Sequence, residues 1–124
     1  MKTLIAVALL VFVFSKTHAR QPGSDSMMIT VFLQHQEDKN PDSVQHILDK
    51  NNSSKMFLPK SARVVSWYVM MGGGQVVTVK IPVAELRTLN LSIEKGAWGA
   101  YNTKFYPTYD YLPVWEQTFK KQQQ

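Results

Sequence analysis

Residues 63–81 read RVVSWYVMMGGGQVVTVKI, and this stretch decides the fold. Arg63 to Met71 is dense in strand formers, with Val64, Val65, Trp67, Tyr68 and Val69. Gln75 to Ile81 continues in kind with Val76, Val77, Thr78 and Val79. Gly72-Gly73-Gly74 lies between them, and glycine accepts the positive φ that a tight turn demands. The stretch is therefore predicted to be a β-hairpin. A glycine-rich phosphate cradle would need a helix N-terminus directly after the triplet, and a strand follows instead.

On the C-terminal side, Pro82 closes the hairpin and stands well before a helix from about Val83 to Lys95. Leu86, Leu89, Ile93 and Ala97 form its apolar stripe, and Gly96 and Gly99 end it. Thr103 to Tyr109 is predicted as a further strand, with Pro107 pointing to an edge or a bulge. Tyr111 to Gln124 is a tail in which Trp115 and Phe119 are spaced i, i+4 beside Leu112 and Val114. This short amphipathic segment is expected to dock on its own domain or on a second copy.

On the N-terminal side, Met28 to Leu33 is a short apolar run read as the first strand. Asp42 or Ser43 is expected to cap a helix with Val44, Ile47 and Leu48 inward, stopped by Asn51-Asn52-Ser53-Ser54. Arg20 to Ser26 is a polar lead-in containing Pro22 and Gly23. Residues 1–19 combine Lys2, an uninterrupted apolar run from Leu4 to Phe14, and a small residue at Ala19. They read as a secretory signal peptide cleaved after Ala19. The run is about half the ~20 residues that a spanning helix needs, so no stable membrane anchor is expected after cleavage.

The order is β-α-β-β-α-β, the ferredoxin-like split βαβ arrangement, over residues 27–110, in a chain of class α+β. In that arrangement four antiparallel strands take the spatial order 4-1-3-2.

Composition narrows the function classes. A chain of 124 residues holds one domain, and the absence of cysteine excludes a disulfide scaffold, a thiol nucleophile and a lipoprotein anchor. Loss of the leader removes Lys2 and Lys16 and leaves a net charge of about +3, spread along the chain without a basic stripe. Nucleic acid is therefore not an expected partner. An export signal without cysteine fits a periplasmic or secreted bacterial protein.

The segments Met27-Met28-Ile29-Thr30-Val31-Phe32-Leu33, Ser66-Trp67-Tyr68-Val69-Met70-Met71-Gly72 and Phe105-Tyr106-Pro107-Thr108-Tyr109-Asp110 resemble the dimeric α+β barrel superfamily. They are similar to an exported bacterial branch related to antibiotic-biosynthesis-type monooxygenases and muconolactone isomerase-like proteins. The resemblance covers Met27 to about Asp110. It implies architecture and dimerisation, and no catalytic motif of that superfamily maps onto this chain residue by residue.

A homodimer is expected on independent grounds. Val64, Val65, Val76, Val77 and Val79 make strands two and three apolar on both faces, and two short helices cover only one of those faces.

Topology gathers His35, Gly72 to Gln75, Trp98 to Tyr101 and Phe105 at one end of the sheet. Loops at the end of a rigid sheet are where binding groups collect, and glycine there permits close approach of a ligand. His35 is the candidate catalytic residue, because an imidazole exchanges protons near neutral pH. Trp98, Tyr101, Tyr68 and Gly73 are the candidate ligand-binding residues for a planar organic molecule. Trp67 and Tyr68 are adjacent in a strand and must face opposite sides of the sheet. No second histidine stands at i+2 or i+4 from His35, so neither a metal site nor a cofactor is expected. Two functions stay open: a metal-free enzyme acting on a small planar molecule, and a non-catalytic ligand-binding or stress-related dimeric module.

Overall fold

A computed structural model describes residues 25–124. The signal-peptide reading of residues 1–19, and the lead-in up to residue 24, lie outside the described residues. Among the described residues no helix is long and apolar enough to cross a membrane.

Strand β1 runs Ser26–His35, two residues longer at each end than its apolar run. Helix α1 spans Pro41–Lys50. Its cap is Asn40 rather than Asp42 or Ser43: the Asn40 side chain accepts the Ser43 N–H at 2.8 Å, and Pro41 takes the first turn, where its missing N–H costs nothing. Asn51-Asn52 ends α1 as expected, but Ser53–Met56 then forms a second short helix, α2, instead of a plain stop. Asn52 makes the corner between them in the left-handed region, at φ 56°.

Strands β2 (Arg63–Met70) and β3 (Gly74–Pro82) form the hairpin expected from residues 63–81. Val83–Glu85 is a single 3-10 turn, helix α3 runs Leu86–Ala97, and strand β4 runs Tyr101–Thr108. Helix α4, Leu112–Gln122, completes the chain. The sheet is antiparallel throughout in the order β2-β3-β1-β4, which from the other edge reads 4-1-3-2.

Alternation along the strands sorts their residues onto two faces. Ile29, Val31 and Leu33 of β1 and Val77, Val79 and Ile81 of β3 are buried beneath Leu89, Ile93 and Ala97 of α3. The other face carries no helix. Its residues fall in cross-strand rows: Arg63, Lys80, Met28 and Thr108; Ser66, Thr78, Thr30 and Tyr106; Tyr68, Val76, Phe32 and Lys104.

This open face differs from the apolar surface expected of it. Thr108 donates to the Thr30 hydroxyl at 2.7 Å, the Thr30 and Thr78 hydroxyls lie 2.9 Å apart, and Phe32 meets Tyr106 edge to face at 5.8 Å. None of the four strands contains Asp or Glu, and Arg63, Lys80 and Lys104 all fall on this side. The valines misled because Val77 and Val79 are spent on the core, while Val64 lies on the same side at the exposed edge.

Candidate functional site

The helix-side face holds a groove of about 320 Å³ between α2 and the sheet, lined by Leu33, Leu48, Ser53, Phe57, Trp67, Gln75 and Tyr101 among others. Its aromatic wall depends on an irregularity in β2. The β2–β3 register shifts between Val64 and Ser66, so Val65 is a bulge residue. One extra residue reverses the alternation beyond it. Trp67 consequently pairs with Val77 on the helix side, and Tyr68 pairs with Val76 on the open side.

Phe57 stacks on Trp67, with centroids 5.7 Å apart and planes at 27°. Gly96 makes room for that ring: a Cβ there would stand 2.9 Å from the Phe57 Cδ2. The floor is polar. The Trp67 indole N–H donates to Gln75 Oε1 at 2.7 Å, and Gln75 Nε2 donates to the Tyr101 hydroxyl at 3.4 Å. This chain orients the amide of Gln75 and engages the phenol oxygen as an acceptor. The phenol O–H finds no acceptor of its own among the described residues. Ser53, Ser54 and Lys55 add donors along the α2 side. An aromatic slab facing several hydrogen-bond donors suits a flat molecule with an acceptor oxygen.

Tyr101 also lines a second cleft of about 410 Å³, with Gln36, Glu94, Trp98, Gly99, Asn102 and Thr103. Trp98 and Tyr101 thus meet as expected, though Trp98 is 74% exposed. Its loop is held by Asn51, whose side-chain amide donates to the carbonyls of Trp98 at 2.8 Å and Gly96 at 3.2 Å.

The remaining expected site residues line neither cavity. His35 pairs with Tyr101 across β1 and β4, and its ring lies 5.9 Å from that of Tyr101, but it is exposed and lines neither cavity. Tyr68 is on the far side of the sheet from both cavities. Phe105 sits in mid-sheet opposite Val31, not at the strand end.

The hairpin does not present its backbone at Gly73, because the Gly73 N–H donates within the turn to Met70 O at 3.0 Å. The positive φ values fall on Gly72 (76°) and Gly74 (107°). Gly74 is there for close packing: a Cβ would lie 2.0 Å from the Leu33 carbonyl oxygen. Among the described residues no three His, Asp or Glu side chains converge where a cation could sit.

Reasoning from residue type overlooked Phe57, chose Tyr68 over its neighbour Trp67, and gave Gln75 no role beyond its place at the gathered sheet end. A Gln two residues from core valines in a strand was the available signal, since a polar side chain on a core-facing position needs a partner. Compared with known proteins, the chain matches no family model, no curated protein and no solved structure.

Proposed function

We propose that this chain is an exported ligand-binding domain of ferredoxin-like, dimeric α+β barrel type, which holds a small planar organic molecule between Phe57, Trp67 and Tyr101. The observation that carries this is the Trp67–Gln75–Tyr101 hydrogen-bond chain on the groove floor. It satisfies polar atoms at the half-buried floor and leaves one phenol O–H for a ligand carbonyl or carboxylate. Lys55 at the side of the groove favours a carboxylate. A volume near 320 Å³ is at the small end for ligand pockets and admits one or two fused rings.

Binding without catalysis is the favoured activity. His35, the one residue given an acid–base role, lines neither cavity, and the groove's own titratable groups, Tyr101 and Lys55, are assigned here to holding an acceptor oxygen. The working unit in this reading is a homodimer joined through the open faces, located in the periplasm or outside the cell as the leader directs.

Native mass spectrometry of protein purified from its own host should reveal a bound molecule of small mass. Tyr101→Phe and Gln75→Leu should each weaken its retention by roughly tenfold, the equivalent of one hydrogen bond. His35→Ala should leave it unchanged. Full retention in both groove variants, with loss in His35→Ala, would move the site to the strand end and reopen the enzymatic reading.

A further inference from the structure

The three tryptophans are covered to different degrees. Trp67 lies against Phe57, and Trp115 and Phe119 of the exposed helix α4 stack on each other at 6.0 Å. Trp98 is the most exposed of the three. Among the described residues no ring lies against it, and its indole N–H has no acceptor.

The backbone beneath Trp98 is nevertheless fixed. Ala97 to Ala100 form a type II turn, in which Trp98 has φ −56° and ψ 121° and Gly99 has φ 78°. The Ala100 N–H closes it onto the Ala97 carbonyl at 2.9 Å, and both alanines are excluded from water. Asn51, at the end of α1, braces the same turn through the carbonyls of Gly96 and Trp98. Nothing in this turn requires an indole at its second position, where proline and many other residues serve. A ring carried on a rigid corner loses little freedom when it meets a ligand.

Two clefts open beside the ring. One is the cleft of about 410 Å³ that also has Gln36, Asn102 and Thr103 in its lining. The other, of about 380 Å³, is lined by Asn51, Leu91 and Lys95. Trp98 and Glu94 border both.

Hydrogen-bonding capacity sets the kind of ligand. Gln36 Nε2 donates to Asn102 Oδ1 at 3.3 Å, and Gln36 Oε1 accepts from the Lys39 ammonium. The Asn102 amide nitrogen is left to donate. Glu94 makes no hydrogen bond or ion pair among the described residues, so its carboxylate is left to accept. An anion would be repelled by Glu94, and a cation would leave the amide unused and meet Lys95 in the second cleft. An apolar peptide would bury amide and carboxylate without partners, which is costly. A hydroxyl group both donates and accepts, so a neutral polyol satisfies the two together. A pyranose with equatorial hydroxyls also has a flat face of C–H groups to pack on an indole, while its hydroxyls project from the rim.

We propose that Trp98, Glu94 and Asn102 form a binding site for a neutral oligosaccharide of β-1,4-linked, glucose-type rings. One ring stacks on Trp98 and shares its hydroxyls between Glu94 and Asn102. The chain passes over the indole from one cleft into the other, so a single sugar gains only part of the contact. The site is distinct from the groove at Phe57 and Trp67 and acts whether or not that groove is filled, although Tyr101 borders both.

Titration calorimetry of the purified protein with cellotetraose, chitotetraose and glucose tests this. One or both tetrasaccharides should bind, at least roughly tenfold more tightly than glucose. Trp98→Ala should weaken that binding by roughly tenfold or more, the worth of one aromatic stacking contact, and Glu94→Gln by a smaller factor. Both variants should melt with the parent protein, since neither side chain belongs to the core. Failure of both tetrasaccharides to bind at millimolar concentration overturns the proposal. Binding that survives Trp98→Ala and is lost in Gln75→Leu would put the sugar in the groove and overturn it too. Choline chloride held through Glu94, with no sugar bound, would make this a site for an organic cation. A dimer by light scattering that dissociates in Trp98→Ala, again with no sugar bound, would make it a protein contact; either result overturns the proposal.

Discussion

The two faces of one sheet are built from the same four strands and hold their structure by different means. On the helix side, Ile29, Val31 and Leu33 interlock with Val77, Val79 and Ile81 under α3, all excluded from water. On the open side the same strands present a hydroxyl row at Thr30, Thr78 and Thr108, a Phe32–Tyr106 ring pair and three cations. Burial of apolar area carries the first face, at about 25 cal/mol per Å². The second gains only the small net worth of hydrogen bonds that water can replace. Stability is thus concentrated on one side of the sheet, and the other side contributes little to it.

Substitutions that separate these contributions sharpen the contrast. The largest effect is expected where the hairpin meets β1. In Gly74→Ala a methyl would stand 2.0 Å from the Leu33 carbonyl in backbone at φ 107°, so the β1–β3 ladder must open. Thermal unfolding should show a loss of at least about 3 kcal/mol, or no folded protein. Near-native stability in this variant would mean that the hairpin and β1 are not in contact as described.

Next comes the helix-side core. Ile93→Ala empties a fully buried position above the sheet and should cost about 2–5 kcal/mol in urea unfolding, with an unchanged m-value. The smallest effect is expected on the open face. Thr30→Val removes the central hydroxyl of the row, and its half-exposed neighbours can turn to water, so the cost should stay near or below about 1 kcal/mol. If Thr30→Val proves as damaging as Ile93→Ala at concentrations where the protein is monomeric, the contrast between the faces is broken.

Legibility in the sequence followed interaction range. The hairpin of residues 63–81 was readable because its signals are local: two runs of strand formers about a glycine triplet. The site was only half readable. Trp98 and Tyr101 meet because they flank one short turn, and Tyr101 proves to border both cavities. Tyr68 and Gly73 were reasonable choices by residue type, but each is misplaced by a backbone detail. The bulge at Val65 turns Tyr68 away from the groove and Trp67 into it. Gly73 spends its N–H inside the turn. Nothing in the letters of residues 63–74 marks either detail.

The sequence by itself determined the element order, the alternation that buries Ile29, Val31 and Leu33, the amphipathic stripes of α3 and α4, and the place of the hairpin. These depend on periods of two and 3.6 residues, and a period is a property of neighbours in the chain. Only the tertiary structure decided that Gln75 bridges Trp67 and Tyr101, that Gly74 rather than Gly73 is the constrained glycine, and that Val64 and Val69 of β2 stay exposed on either side of the Phe57–Trp67 stack. Each of these depends on register between segments tens of residues apart, where a shift of one residue exchanges the two faces of a strand. Such a shift changes no local preference, so only the packed chain selects among the registers.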